Sequence, residues 1–296
     1  MLISPIEKIQ FQGFEFYIKR DDLLGDINGN KARKLAFYLS QNYDQGQRFI
    51  SYGGIQGNAL VALSIFAFKR NLTLVYACEK IPAYLRNNPC GNYKLALENN
   101  VYFIENHSDK DLKTFALSLC EKDDVFIEQG IANFNAESGY IQLAKEIESQ
   151  SKNLGLDFDI FLPSGTGTSA AFLAKNSKFK VFTCACVGDE YYLKNQILNL
   201  IKNYDFSNLE ILKSDKKYHF GKPYLEFYQL YKDLKQECLV EFDLLYDMLG
   251  LSIALKREWK NPLLYIHQGG ISGNSSMLEL SLIHISEPTR RRGISY

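Results

Sequence analysis

The chain predicts an α/β fold resting on a mostly parallel sheet, and two observations carry that expectation. Short apolar runs rich in β-branched and aromatic residues alternate along the chain with segments of helical period. That is the pattern of βαβ units, whose strands run parallel. Glycine also sits at three strand-to-helix junctions, in Asn28-Gly29-Asn30, Gly53-Gly54-Ile55-Gln56-Gly57 and Ser164-Gly165-Thr166-Gly167. Glycine there lets backbone amides approach a ligand closely. With 296 residues the chain has room for one large domain or two modest ones, with ample core.

The first junction organises the rest. An extended run, Phe14 to Asp22, is followed by Asn28-Gly29-Asn30 as turn and cap, and Leu35, Tyr38 and Leu39 then repeat at helical spacing. Lys31 thus falls in the first turn of a helix, the wrong end for a cation. Lys34 lies one turn on, on the same face. Crowded positive charge favours a neutral amine, the form that attacks a carbonyl. On this octapeptide alone, a solvated basic helix start is the ordinary alternative.

Next come a strand over Arg48–Tyr52, the glycine turn ending at Asn58, and a helix over Ala59–Ala67. Strands over Leu72–Ala77, Val101–Ile104 and Val125–Ile127 alternate with helices over Tyr93–Asn99 and Leu112–Glu121, and Glu137–Ile147 is an amphipathic helix. Asp157–Pro163 reads as a strand ending in Ser164-Gly165-Thr166-Gly167-Thr168-Ser169 before an alanine-rich helix. Free backbone, hydroxyls and a helix N-terminus make that loop a phosphate cradle, although it lacks the Gly-Lys-Ser/Thr ending of a Walker P-loop. A strand over Phe179–Val187, a helix over Tyr192–Lys202, a helix start at Tyr246-Asp247 and a strand from Leu263 into His267-Gln268-Gly269-Gly270 complete the pattern. Lone His219 and His267 read as structural.

Composition excludes several classes of function. Lys+Arg and Asp+Glu both total 34, so no net field draws nucleic acid or an anionic membrane. The most apolar stretch, from Ala59 to Phe68, is about half of a membrane span. No secretory leader is expected at Met1, and six cysteines without Cys-x-x-Cys spacing suggest neither disulfides nor a zinc site. The expected setting is cytoplasmic, with reduced thiols and no metal.

The runs Lys19-Arg20-Asp21-Asp22 and Gly29-Asn30-Lys31-Ala32-Arg33-Lys34-Leu35 resemble the 1-aminocyclopropane-1-carboxylate deaminase and D-cysteine desulfhydrase family. The resemblance recurs at Gly53–Asn58, Tyr218–Pro223, Phe242–Asp247 and His267–Gly270. It implies pyridoxal 5'-phosphate as cofactor and the tryptophan-synthase β-like fold (fold type II), with two open, mostly parallel sheets flanked by helices. It further implies a large cofactor-binding domain from residues 1–44 and 136–279, a small inserted domain over 45–135, and a homodimer. Lys31 is then the cofactor lysine and general base, with Lys34 beside it. Ser164, Gly165, Thr166, Gly167 and Thr168 take the phosphate, Asn58 the phenolic oxygen, and Asp247 the ring nitrogen. Gly54, Gln56, Gly57, Asn58 and Phe220 face a small amino-acid substrate, and Tyr246 is the acid/base partner. The chain departs from the family at Gly57, where serine is usual, and at Phe220, where tyrosine is usual.

The implied activity is conversion of a small amino acid to a 2-oxo acid and ammonia, by C–N or C–S cleavage. The substrate is either D-cysteine-like or 1-aminocyclopropane-1-carboxylate-like. The competing reading is a homologue that holds pyridoxal phosphate or another phosphate ligand with turnover impaired. A nucleotide-binding α/β domain is disfavoured, because no ribose-binding acid follows a glycine-rich first turn in register. From Leu280 to Arg290 the chain resembles a translated sequencing adapter, so residues 280–296 are expected to be an artefactual tail without buried contacts.

Overall fold

Two separate sheets make up the architecture of the structure, a computed structural model that describes residues 3–275, 277 and 278. The tail expectation at 280–296 lies outside the described residues. In chain order the elements begin with β1 (Ile6–Phe11), β2 (Phe14–Lys19), α1 (Gly29–Ser40), β3 (Arg48–Tyr52), α2 (Asn58–Lys69) and β4 (Thr73–Cys78). They continue with α3 (Ala83–Asn87), α4 (Gly91–Glu98), β5 (Tyr102–Glu105), α5 (Leu112–Ser118), β6 (Val125–Phe126), α6 (Glu137–Leu154) and β7 (Asp159–Ser164). The last are α7 (Thr168–Asn176), β8 (Val181–Ala185), α8 (Glu190–Leu200), β9 (Leu209–Leu212), α9 (Leu225–Cys238), α10 (Asp247–Ala254) and β10 (Leu263–Ile266).

The six-stranded sheet has the order β1-β2-β10-β7-β8-β9; β1 is antiparallel to β2 and all other pairs are parallel. The four-stranded sheet, β5-β4-β3-β6, is wholly parallel, and its strands all fall between residues 48 and 126. Helices flank both, as the alternating pattern requires. One core lies on each face of the larger sheet, centred on Leu162 with Phe172 and on Phe161 with Phe242, and a third joins α1 and α2 to the smaller sheet. Leu35 and Tyr38 enter that third core at 0% and 3% exposure, as their spacing predicts. Each such burial is worth about 1.5–3 kcal/mol.

The strands not read from sequence are the two edges, β1 and β9. Along β1 only Phe11 is fully buried, and β9 buries only Leu209 and Leu212. An edge strand with one or two buried side chains gives little alternation to detect. Helix α9 was missed for a similar reason, since Tyr231 and Leu234 are its only buried residues. Helix α5 stops at Ser118, short of the expected Glu121; there Asp124 accepts from the Glu121 amide in a turn.

The glycine junctions lie where chain leaves the carboxyl ends of parallel strands, the usual place for ligands in open α/β sheets. Strands β3 and β7 deliver two of them directly. The third, at 28–30, follows β2 after a short 3₁₀ turn over Asp21–Leu23.

Candidate active site

The start of α1 is seated by a second turn far along the chain, at Gln268, 238 residues beyond Asn30. Gly29 adopts φ +58°, and a Cβ there would fall 1.8 Å from the Gln268 carbonyl oxygen. The Asn30 amide donates to that same oxygen at 3.0 Å. Gln268 then reaches across, its Nε2 donating to the Pro163 carbonyl at 2.7 Å, so it joins the lysine turn to the end of β7. Gly269 and Gly270 also have positive φ; Cβ atoms on them would press on Asn28 Oδ1 and Asn58 Nδ2, at 2.4 and 2.5 Å. The Gly269-Gly270 pair is therefore required by close approach of three segments.

His267 holds this turn. Its ring is fully buried and stacked on Phe242, Nδ1 accepts from the Gly269 amide at 3.1 Å, and Nε2 meets the Glu241 carbonyl at 2.8 Å. With Nδ1 accepting, Nε2 is the nitrogen that donates to the Glu241 carbonyl.

Lys31 is half-buried, with Nζ donating to Asn30 Oδ1 at 3.0 Å. Burial lowers its pKa to about 8, against an opposing pull from Asp243. Lys34 is buried and donates to the Gly130 carbonyl at 2.9 Å; burial first, and the Lys31 charge second, push its pKa well down. The two amines are thus electrostatic neighbours, as their i,i+3 spacing implies.

At the 164–169 loop, Gly167 caps α7 in the left-handed region at φ +74°, and no side chain caps the helix. A Cβ on Gly167 would collide with Ile197 at 2.6 Å. The first amides of α7 are left for an anion to satisfy. The hydroxyls are ordered around this loop: Thr183 donates to the Leu162 carbonyl at 2.7 Å and so accepts from Ser164 at 2.7 Å, Tyr140 donates to Ser169 at 2.6 Å, and Thr166 and Thr168 share a bond of 2.9 Å. Tyr140 thereby ties α6, read from sequence only as a packing helix, to the loop. Tyr246 packs on Gly165, where a Cβ would lie 3.3 Å from its ring, and its ring centre is 5.1 Å from that of Phe220. Phe220 is 45% exposed. Burial and the neighbouring Asp243 charge raise the Tyr246 pKa, so its hydroxyl keeps its proton.

Two acids from the 242–247 segment, Asp243 and Asp247, are buried, and the Asp243 charge acts on Lys31. Asp247 Oδ1 accepts from the Tyr265 hydroxyl at 2.7 Å and Oδ2 from the Asp243 amide at 2.9 Å. Asp243 Oδ1 takes the amides of Leu245 and Tyr246, whereas its Oδ2 has no hydrogen-bond partner among the described residues. Burial, then the Asp247 charge, raise the Asp243 pKa to about 8. Sequence reasoning quoted Asp243 only as part of a motif.

In the 53–58 turn, Gly57 precedes α2 without a capping side chain, and a Cβ on it would lie 3.0 Å from the Gly54 carbonyl. The Gln56 side chain brackets the start of α4: Oε1 accepts from the Asn92 amide at 2.9 Å and Nε2 donates to the Cys90 carbonyl at 3.2 Å. Asn92, also missed in the sequence, is 1% exposed and donates to Asn58 Oδ1 at 2.9 Å. No sequence signal marked it beyond Cys90-Gly91 before a helix.

Beneath α1 lies a fully paired ion cluster. Arg33 donates to both oxygens of Asp21 and both of Glu146 at 2.7–2.9 Å, and Lys19 adds a bond to Glu146 at 3.0 Å. The Lys19-Arg20-Asp21-Asp22 motif thus helps fix the helix that carries Lys31; its partner Glu146 lies 113 residues beyond Arg33.

The residues present suit pyridoxal phosphate: an amine of lowered basicity, an uncapped helix start flanked by glycine for an anion, and an amide donor at Asn58. The fold is that of the pyridoxal-phosphate enzymes of fold type II, the tryptophan-synthase β-like class. Comparison with known proteins narrows the class. The chain is 27% identical over 319 residues to an Arabidopsis thaliana protein named bifunctional D-cysteine desulfhydrase/1-aminocyclopropane-1-carboxylate deaminase, mitochondrial, covering 92% of this chain and 77% of that one. It is 26% identical over 286 residues to a putative 1-aminocyclopropane-1-carboxylate deaminase of Pyrococcus furiosus, covering 88% and 86%. A crystal structure described as an ACC deaminase homologue superposes with a TM-score of 0.74 at 23% identity, covering 95% of this chain and 94% of that one. No family model matches. The resemblance carried by the motifs therefore extends over nearly the whole chain, to proteins named for the 1-aminocyclopropane-1-carboxylate deaminase and D-cysteine desulfhydrase activities.

Proposed function

We propose that this protein is a pyridoxal-phosphate-dependent lyase or deaminase that converts a small amino acid to a 2-oxo acid and ammonia. The observation that carries the reading is the closed circuit of contacts that joins the Lys31 turn to the other glycine junctions. Gln268 ties the Lys31 turn to Pro163, Tyr246 sits on Gly165, and Gly270 adjoins both Asn58 and Asp243. Amine, anion cradle and polar donor thus share one site. Of the two named activities, D-cysteine-like elimination asks less of positions 57 and 220, which lack hydroxyls here.

When bound, the cofactor supplies an electron sink for charge developing at the substrate α-carbon. The loop from Ser164 to Thr168 and the start of α7 would hold its phosphate, Asn58 its phenolic oxygen, and Asp247 its ring nitrogen while keeping Tyr265 and the Asp243 amide in place. Lys31, neutral above about pH 8, accepts a proton at Nζ. Tyr246, held protonated, donates one from its hydroxyl. Lys34, engaged at Gly130, stands beside Lys31 as a second amine of lowered basicity. Backbone around Gly54 and Gly57 receives the substrate carboxylate, Gln56 shapes that turn, and Phe220 with Tyr246 walls the far side. We assign residues 45–135 to a small inserted domain and 1–44 with 136–279 to the large one, and propose a homodimer of a cytoplasmic enzyme.

The test is the visible absorbance of purified protein with pyridoxal phosphate, for wild type and Lys31→Ala. The expected result is a yellow wild type whose cofactor is fixed onto Lys31 by borohydride and located by peptide mapping, with complete loss in the variant. A wild type that takes up no cofactor covalently overturns the reading.

A further inference from the structure

Which end of the Asn58 amide faces Gly270 is decided by a chain of hydrogen bonds on its other side. Asn92 Nδ2 donates to the Gln56 backbone carbonyl at 2.9 Å, and a carbonyl can only accept, so this atom is the nitrogen. Its other proton goes to the Asn58 side chain at 2.9 Å, so the Asn58 atom on that side is the oxygen. The Asn58 Nδ2 is therefore turned the other way, toward Gly270, and nothing among the described residues accepts from it. The Asn92 oxygen is in turn fixed by the Ser272 hydroxyl at 2.9 Å. Gln56 is anchored by the same logic, because its Nε2 meets the Cys90 carbonyl and its Oε1 the Asn92 amide. The orientation of all three amides follows from two backbone carbonyls and one hydroxyl.

We propose that Asn92 is a positioning residue of this site: with Ser272 behind it, it holds Asn58 as a donor aimed at an anionic oxygen of the bound ligand. The identity of that oxygen, a phenolate, rests on the functional reading above; the orientation itself does not. The relay runs from the turn over Ile271–Gly273, through the first turn of α4, to the first residue of α2. It thus links three segments far apart in the chain. Asn92 is 1% exposed, whereas Ser272 is exposed and can be altered without opening the core.

Asn92→Asp is nearly isosteric but cannot donate to Asn58 Oδ1, so it forces the Asn58 amide to turn over. The cofactor-free protein is examined first, by following the nitrogen-15 signal of the Asn58 side-chain amide, assigned through Asn58→Ala. That signal is expected to move strongly in Asn92→Asp and more weakly in Ser272→Ala. Pyridoxal phosphate is then titrated into wild type, Asn58→Ala, Asn92→Asp and Ser272→Ala. The Asn92 variant is expected to bind about 10–100-fold more weakly, as for loss of a supporting hydrogen bond behind a ligand-binding group. Its chromophore should shift its pH midpoint in the same direction as in Asn58→Ala, a change that mere loosening of α4 would not produce. An Asn58 signal unmoved in both variants overturns the proposal, even where no cofactor binds. So does a folded Asn92→Asp protein with the wild-type midpoint while Asn58→Ala is displaced. If Asn92→Asp does not fold, Ser272→Ala decides alone, and a wild-type amide signal there overturns the relay. Failure of wild type to bind the cofactor refutes the functional reading and leaves the amide measurement standing.

Discussion

Arg33 and Lys31 stand two residues apart on α1 and occupy opposite electrostatic situations. Around Arg33 two cations, Lys19 and Arg33, face two anions, Asp21 and Glu146, and every carboxylate oxygen is hydrogen-bonded. Burial works against these charges, yet bonds from Asp21 and Glu146 raise the Arg33 pKa, and Arg33 lowers that of Glu146. Around Lys31 the balance is reversed. Burial wins, the lysine falls to about 8, Asp243 rises to about 8, and one Asp243 oxygen has no partner among the described residues. A buried network that is fully satisfied fixes one geometry; a partly satisfied one leaves groups near their own titration points. The helix joins a rigid anchor to a reactive end.

Breaking the anchor should give the largest effect on stability. Glu146→Ala leaves two buried cations, Arg33 and Lys19, facing the single anion Asp21, and is expected to cost about 3–5 kcal/mol in urea unfolding. A loss below about 1 kcal/mol would mean that the cluster is not the anchor described.

The reactive end is sharpened by Asp243→Asn, which keeps the acceptor for Leu245 and Tyr246. Asp243 titrates near 8 when folded and near 4 when unfolded, so between these values the folded state holds the extra proton. Its contribution to stability therefore falls as pH rises through that window. The variant should gain on wild type from pH 5 to pH 8, read as diverging melting temperatures. Parallel curves would show that Asp243 is ionised in the folded protein throughout. Lys31 acts with the opposite slope above about 8, where the unfolded chain binds more protons.

The smallest effect should come from an exposed pair, Lys152 with Glu148 at 3.1 Å, one turn apart on α6. Lys152→Ala is expected to leave the melting temperature almost unchanged, with any difference vanishing in high salt. A larger loss would blur the contrast between buried and surface charge.

Much of this was legible in the sequence, but unevenly. The three glycine junctions, the position of Lys31 on its helix and the alternation of strands with helices follow from local period and turn chemistry. Those signals lie within a few residues of one another. The flanking edges β1 and β9 were invisible because so little of them is buried. The groups that finish the site were invisible for another reason. Glu146 with Arg33, Asn92 with Asn58, and Gln268 with Asn30 are matched across 113, 34 and 238 residues. No local pattern encodes such a pairing. Asp243 could be quoted as part of a motif, but only its burial and its unpartnered oxygen set it apart.

The seating of Gly29 on Gln268 also dictates when, during manufacture of the chain, the site can come into being. The lysine leaves the ribosome early, but the carbonyl against which its turn closes is made some 240 residues later. Strand β10, which immediately precedes that carbonyl, lies in the middle of its sheet, between β2 and β7. Until it arrives, the first hairpin and the β7-β8-β9 group have no strand between them to join them. A nascent chain stalled before residue 263 therefore carries its reactive amine without the framework that tames it, and translation itself becomes the last step of assembly.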